Sequence, residues 1–312
     1  MTYLGNAITT LDALASTTAL SREGHYGTQR GFDAPYETIS LVHEAPAGIL
    51  WCYMDQPGKP IVTHRLLDEL IEMQAAVREA VDDETVAKQL QYFVFASRAP
   101  GIYSLGGDLA YFVDSVRRRD RASVHSYARK CVDIVHSNVN ALHAPLITFS
   151  LVQGDALGGG FETALSFDVI VAERSAKMGL PEILFNLFPG MGAYSLLSRR
   201  IDSIRAEQMI MSGRIYTAEE LHEIGLVDVL AEDGEGEDTL RAYIDRNRRK
   251  FNAHRAIYQA RRIARPVPKQ ELVDIVDVWV DAVFQLTDHD MRRMTHLTAA
   301  QDRRLLAEAA SG

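Results

Sequence analysis

The sequence predicts an α/β domain followed by a helical C-terminal region. Three observations carry this. Short apolar runs that suit buried strands alternate with stretches whose apolar residues recur near every 3.6 positions. Glycine-containing loops join several of these strands to the helices that follow, and beyond an acidic stretch at 232–238 the pattern is helical throughout. Strand, loop and helix repeated in this order predict a parallel sheet covered by helices.

Residues 1–35 are rich in Thr, Ser and Gly with weak periodicity and are expected to form a flexible leader. Order starts near Tyr36. Ile39 and Leu41 alternate with polar residues, Pro46-Ala47-Gly48 signals a turn, and Ile49, Trp51 and Tyr53 alternate again, which predicts a hairpin-like strand pair. Leu66, Leu67, Leu70, Ile71, Ala75 and Val77 predict a helix that stops at Asp82-Asp83-Glu84. Residues 92–96 read as a buried strand, followed by a loop with Pro100, Gly101, Gly106 and Gly107. Helices are predicted over 108–116 and 120–142, the second closed by Pro145. A strand at 147–152 leads into Gly154 and Gly158-Gly159-Gly160, then a helix at 161–165 and a strand at 169–172. The stretches near 178–187 and 225–230 continue the alternation, separated by helices near 192–200 and 203–212. This gives an α/β core at 36–231, an acidic linker and a helical region at 239–308.

With 312 residues, 47% of them apolar and 24% charged, the chain is neither collagen-like, disordered nor a disulfide scaffold. Its 33 basic against 42 acidic residues leave a net charge of −9, which argues against nucleic acid and anionic membrane surfaces as partners. Cys52 and Cys131 form no CxxC and read as reduced, buried thiols. Residues 1–21 lack Lys and Arg, and no apolar run approaches the ~20 residues a membrane helix needs, so a cytoplasmic protein is expected. His125, His136 and His143 share one predicted helix without a Cys or carboxylate cluster, so neither a metal nor a cofactor is expected.

The chemistry concentrates in two glycine loops, Tyr103-Ser104-Leu105-Gly106-Gly107-Asp108-Leu109 and Gly154-Asp155-Ala156-Leu157-Gly158-Gly159-Gly160-Phe161-Glu162. Each opens a helix and so presents backbone N–H groups with positive dipole character. Neither fits a phosphate-binding pattern, and either alone reads as a tight turn. Two acids change the balance. Glu162 lies in the first turn after the triple glycine, and Glu182 lies in Met178-Gly179-Leu180-Pro181-Glu182, among apolar residues that raise carboxyl pKa values. Two carboxyl groups sharing one proton near neutral pH supply a general acid and a general base together.

The paired loops, the Gly-Gly-Gly-x-Glu and the Gly-x-Pro-Glu twenty residues later resemble the crotonase (enoyl-CoA hydratase/isomerase) superfamily. Residues 151–165, the run 178–193 with Phe188-Pro189-Gly190-Met191-Gly192-Ala193-Tyr194, and Asp277-Val278-Trp279-Val280-Asp281 resemble more narrowly the diffusible signal factor synthases, which make cis-2-unsaturated fatty-acid quorum-sensing signals. The resemblance covers about 36–305. It implies the crotonase fold, a superhelix of ββα units, with a C-terminal helical region that builds a homotrimer or a dimer of trimers.

The same resemblance implies an oxyanion hole formed by the N–H groups of Gly107 and Gly159. Such donors are worth about 3 to 4 kcal/mol each to a developing oxyanion. A side chain at either glycine would intrude on the thioester, and a positive φ there would add strain. Glu182 would take the α-proton and Glu162 would protonate the departing 3-hydroxyl of a 3-hydroxyacyl thioester. A carboxylate would then activate water for hydrolysis to the free acid, making the enzyme a dehydratase with thioesterase activity. Leu157, Met178, Leu180, Phe185, Phe188, Met191, Trp279 and Phe284 are candidates for the acyl pocket. Many CoA-using relatives carry a Lys soon after the first loop, where this chain has Asp108-Leu109-Ala110-Tyr111-Phe112-Val113. The departure weakens the expectation of a CoA carrier and is compatible with acyl-ACP as substrate, with acyl-CoA as the alternative. Arg246, Arg248, Arg249, Lys250, Arg255, Arg261, Arg262 and Arg265 are then the candidate surface for an acidic carrier, with a solvated helix face as the plain alternative. An ordinary enoyl-CoA hydratase is the competing enzyme. A partner of a sensor-kinase receiver domain is the competing non-enzymatic role.

Overall fold

A computed structural model of the chain describes residues 35–309; the expected leader lies outside them but for Pro35. The predicted hairpin is present. Strands β1 (Ile39–Glu44) and β2 (Ile49–Met54) pair antiparallel across the turn at 45–48. In chain order the further strands are β3 (Tyr92–Ser97), β4 (Ile102–Ser104), β5 (Ile147–Val152), β6 (Asp155–Leu157), β7 (Val169–Glu173), β8 (Lys177–Gly179), β9 (Ile215–Thr217) and β10 (Val229–Ala231). They form two sheets. The larger has the order β1-β2-β3-β5-β7-β10, parallel from β2 onward, and the smaller has the order β4-β6-β8-β9.

Every residue of β2, β3, β5 and β7 is buried, as a parallel sheet covered on both faces requires. The period of two divides them. Trp51, Tyr53, Tyr92, Val94 and Phe149 face Leu240 and Ile244, whereas Cys52, Phe93 and Phe95 join the main core on the other side.

The helices are α1 (His64–Ala80), α2 (Glu84–Gln89), α3 (Leu109–Arg117), α4 (Arg121–Val139), α5 (Gly159–Leu165), α6 (Ala193–Arg200), α7 (Ser203–Ser212), α8 (Ala218–Glu223), α9 (Gly236–Asn247), α10 (Phe251–Ala264), α11 (Lys269–Val283) and α12 (Asp288–Ala309). Side chains begin several of them. Thr63, Asp83, Asp108 and Asp120 each accept a backbone N–H in the first turn of α1 to α4. The acidic stop at 82–84 therefore ends one helix and caps the next. Strands β4 and β6 lie inside stretches that read as loops, because three residues are too few for a periodic signal. The stretch 181–185 is a 3₁₀ turn rather than a strand.

The acidic stretch 232–238 is held against the core. Glu232 accepts from Arg174 Nε at 2.8 Å, Asp233 accepts the Ser175 N–H at 2.9 Å, and the Gly236 N–H that opens α9 donates to Glu173 at 3.0 Å. Helix α10 is anchored by a buried charge. Asp168, 3% exposed, accepts Arg261 at 2.9 Å, Arg262 at 2.6 Å and the Thr148 N–H at 3.1 Å. Asp168→Ala strands these donors around an empty site and is expected to lower stability by about 3 kcal/mol, read from urea unfolding. A loss below ~1 kcal/mol would show that the cluster does not anchor the helix.

Candidate active site

Strands β4, β6 and β8 lie side by side and parallel, with Ile102 opposite Asp155, Ala156 opposite Met178 and Leu157 opposite Gly179. Neighbouring strands are about 4.8 Å apart, so the segments leaving their C-terminal ends reach one place. Those segments are Leu105-Gly106-Gly107, Gly158-Gly159-Gly160 and Leu180-Pro181-Glu182. Three parts of the chain singled out by sequence thus become spatial neighbours.

The glycines divide the work. Gly106 (φ +85°) and Gly158 (φ +53°) adopt the left-handed region, and a Cβ would sit 2.7 Å from the Leu157 carbonyl oxygen and 2.5 Å from Glu182 Oε1 respectively. Gly107 and Gly159 have no such φ, so the strain considered for them falls on the preceding residue of each loop. The Gly107 nitrogen lies 3.6 Å from where a Gly159 Cβ would stand, which brings the two peptide groups together across the gap.

Glu162 is 2% exposed, and its Oε1 accepts the N–H groups of Met191 and Ala193 at 2.8 and 2.9 Å, at the start of α6. Sequence reasoning did not find these donors; Gly190 and Gly192, which let the chain approach, were the available signal. Burial raises the Glu162 pKa well above the ordinary carboxyl range, against the two N–H groups that favour the anion. Glu182 is raised by burial and by the nearby Glu162 charge. Its Oε2 is buried and has no partner. With two donors on Glu162 and none on that oxygen, the proton of the pair favours Glu182 and the charge favours Glu162.

Both acids, Gly107 and Gly159 line one cavity of about 390 Å³ with mostly apolar walls. Leu157, Phe185, Met191 and Trp279 line it as anticipated. Met178, Leu180 and Phe188 do not. Met178 is sealed between Ala156 and Tyr216 within the small sheet, Leu180 is 1% exposed in the core, and Phe188 packs against the core from outside the cavity. Phe284, the C-cap of α11, is likewise absent from the walls. The larger walls come from Leu66, Leu67 and Leu70 of α1 and Tyr127, Cys131 and Ile134 of α4. Their spacing marked those on α1 as core; nothing in it distinguishes a face that lines a cavity from one that fills it.

The basic stretch is partly committed elsewhere. Arg261 and Arg262 neutralise Asp168, Arg248 donates to the carbonyls of Pro46 and Ala47, and Arg265 donates to the Arg199 carbonyl at 2.6 Å. These four are anchors rather than a free docking face. His125 pairs with Asp277 at 2.9 Å, and His136 and His143 stand 5.8 Å apart. Among the described residues, no group of three or more His, Cys, Asp or Glu is placed to hold a metal, and no helix is long and apolar enough to cross a membrane.

Two glycine loops and two buried carboxyl groups at the ends of adjacent parallel strands define an α/β protein with a site of the kind outlined from sequence. The chain belongs to the enoyl-CoA hydratase/isomerase family, whose profile matches residues 44–298. It is 32% identical over 226 residues to the mitochondrial methylglutaconyl-CoA hydratase of Mus musculus, covering 70% of this chain and 67% of that one. The matches to the rat and human proteins of that name span 51% and 50% of their lengths. In fold it is similar to the enoyl-CoA hydratase of Bacillus halodurans, with a TM-score of 0.68 at 18% identity over 83% of this chain and 100% of that one. It is also similar to DspI of Pseudomonas aeruginosa, with a TM-score of 0.59 at 23% identity over 83% of this chain and 98% of that one.

Two stability measurements test this geometry. Gly158→Ala forces a left-handed φ on a residue with a Cβ and drives that carbon into Glu182, so a loss of about 1 to 2 kcal/mol is expected. Gly159→Ala meets only ordinary contacts and should melt within a degree or two of wild type; equal losses would show that the loop conformation is wrong.

The raised carboxyl of Glu182 makes a signed prediction about pH. The unfolded chain ionises it from pH 4.5 upward while the folded chain holds the proton, so the contribution of Glu182 to stability falls as pH climbs from there toward neutrality. Glu182→Gln removes that loss. Its melting temperature should exceed wild type by more at pH 8 than at pH 5, and a constant difference would remove the argument for a buried, protonated Glu182.

Proposed function

We propose that the protein is a 3-hydroxyacyl-thioester dehydratase and thioesterase that makes a cis-2-unsaturated fatty-acid signal from acyl-ACP. The observation that carries this reading is the convergence of Glu162, Glu182 and the peptide groups of Gly107 and Gly159 on one apolar cavity. The thioester carbonyl would sit between the two N–H groups, which hold the negative charge that grows on its oxygen when an α-proton leaves. Glu182 takes that proton from C2, Glu162 gives one to the 3-hydroxyl, and water departs. Water then attacks the carbonyl carbon while a carboxylate takes its proton. The C–S bond breaks to leave the acid and the carrier thiol.

The position of the proton adds a constraint. Dehydration needs Glu182 ionised and Glu162 protonated, the reverse of the arrangement that the Met191 and Ala193 N–H groups favour. Hydration of an enoyl thioester needs the favoured one, with Glu162 drawing a proton from water and Glu182 supplying C2. This observation supports the second reading, an enoyl-CoA hydratase. Narrow sequence resemblance through 151–165 and 178–193 supports the first.

The cavity of about 390 Å³ is more than twice the ~150 Å³ apolar cavity that holds benzene, so it has room for an acyl chain beyond the reacting carbons. Exposed Ile257 and Ile263 on α10 are apolar surface that an interface through the C-terminal helices would cover in a homotrimer or dimer of trimers.

The test is mass spectrometry of products from 3-hydroxydodecanoyl-ACP. Free cis-2-enoic acid is expected, with Glu162→Gln and Glu182→Gln each lowering its formation by at least ~10²-fold. Reversible hydration of trans-2-enoyl-CoA without acid release selects the hydratase. Unchanged turnover in either variant defeats both readings.

A further inference from the structure

The orientation of the Gly106–Gly107 peptide decides whether its N–H faces the second loop, and a short strap of chain controls that orientation. Residues 60–62 run beside the first loop. The Leu105 N–H donates to the Pro60 carbonyl at 2.9 Å, and the Val62 N–H donates to the Gly106 carbonyl at 2.8 Å. Val62 and Gly107 form a parallel bridge. A trans peptide points its C=O and its N–H to opposite sides, and no peptide bond among the described residues is cis. Anchoring the Gly106 carbonyl on the strap therefore turns the Gly107 N–H away from the strap and toward Gly159.

The strap is itself held. The Gln56 side-chain amide donates to the Lys59 carbonyl and, at 2.7 Å, to the Ile61 carbonyl. From α4, the Tyr127 hydroxyl donates to the Val62 carbonyl at 2.6 Å. Its ring is 1% exposed and fixed edge-on by His64 and Phe112, each with ring centroids 5.1 Å away. Burial keeps its phenol protonated, so it remains a donor across the working pH range.

We propose that Tyr127 is a positioning residue for the oxyanion site: its hydroxyl, through Val62, sets the direction of the Gly107 N–H. This rests on the reading of Gly107 and Gly159 as the oxyanion donors. Loss of a whole donor typically costs 10²–10³ in kcat; a donor left in place but free to tilt loses part of that, about tenfold.

The probe is 3-oxododecanoyl-CoA, whose enolate absorbs in the ultraviolet and carries the same charge on the thioester oxygen. Wild-type protein is expected to lower the apparent pKa of the bound probe below its value in solution. Tyr127→Phe keeps the ring packing and is expected to raise the bound value by about one unit, a tenfold weakening. It should lower kcat about tenfold and leave KM within about twofold. A wild-type bound pKa in the variant, with or without lost turnover, overturns the proposal, because a merely structural loss would not move the probe. A probe that ionises in wild-type protein as it does in solution overturns the oxyanion reading and the proposal with it. Should Tyr127→Phe fail to fold, Gln56→Ala loosens the same strap from its other side; a smaller shift in the same direction supports the proposal, and none overturns it.

Discussion

The register of three short parallel strands sets the position of everything that meets in the cavity. β4, β6 and β8 contribute three residues each, yet their pairing fixes where 105–107, 158–160 and 180–182 emerge. A slip of one residue would reverse which side chains face the core. Backbone contacts prevent it. The Asp155 N–H donates to the Gly101 carbonyl at 3.0 Å, the Gly158 N–H donates to the Gly179 carbonyl at 2.8 Å, and a Cβ at Gly154 would lie 2.0 Å from the carbonyl carbon of Gly101. The long strands β3, β5 and β7, buried along their whole length, each lead directly into one of the short ones.

Within that frame the carboxyl pair is an expense to the fold. Burying a carboxyl without full hydrogen bonding disfavours its charged form. The fold meets the demand unequally, with the first N–H groups near α6 on Glu162 and nothing on Glu182 Oε2. Environments that push two like groups apart give each a separate protonation state. A core shaped for stability alone would have placed apolar residues at both positions.

Legibility in the sequence followed the length of the signal. The six-residue strands and the helices α1, α4, α6 and α7 were readable because several apolar residues repeat at one period. The three-residue strands carry at most two residues per face and left no pattern. Glu162 and Glu182 stood out because charge in apolar surroundings is unusual, and the glycine loops because glycine clusters are. The positive φ values lie at Gly106 and Gly158, one residue before Gly107 and Gly159, and sequence alone does not reveal φ. Arg261 and Arg262 read as a surface charge run because their acceptor, Asp168, is more than ninety positions away in the chain. Met178 and Leu180 are close to Glu182 in sequence, but strand alternation and the 3₁₀ turn bury them behind the cavity.

The cavity separates two kinds of recognition. At one end the walls are the peptide groups of the glycine loops and two carboxyl groups, which on the proposed reading would meet the carbonyl and α-carbon of an acyl thioester. Along the chain the contacts are side chains of α1 and α4, such as Leu67, Leu70 and Ile134. Leu67, Leu70 and Ile134 are apolar wall residues, whereas Tyr127 of α4 also holds the strap beside the first glycine loop. The proton arrangement of the carboxyl pair depends instead on the donors near α6. On the proposed reading, the oxyanion site, the acyl pocket and the proton arrangement of the carboxyl pair therefore rest on different elements of the fold.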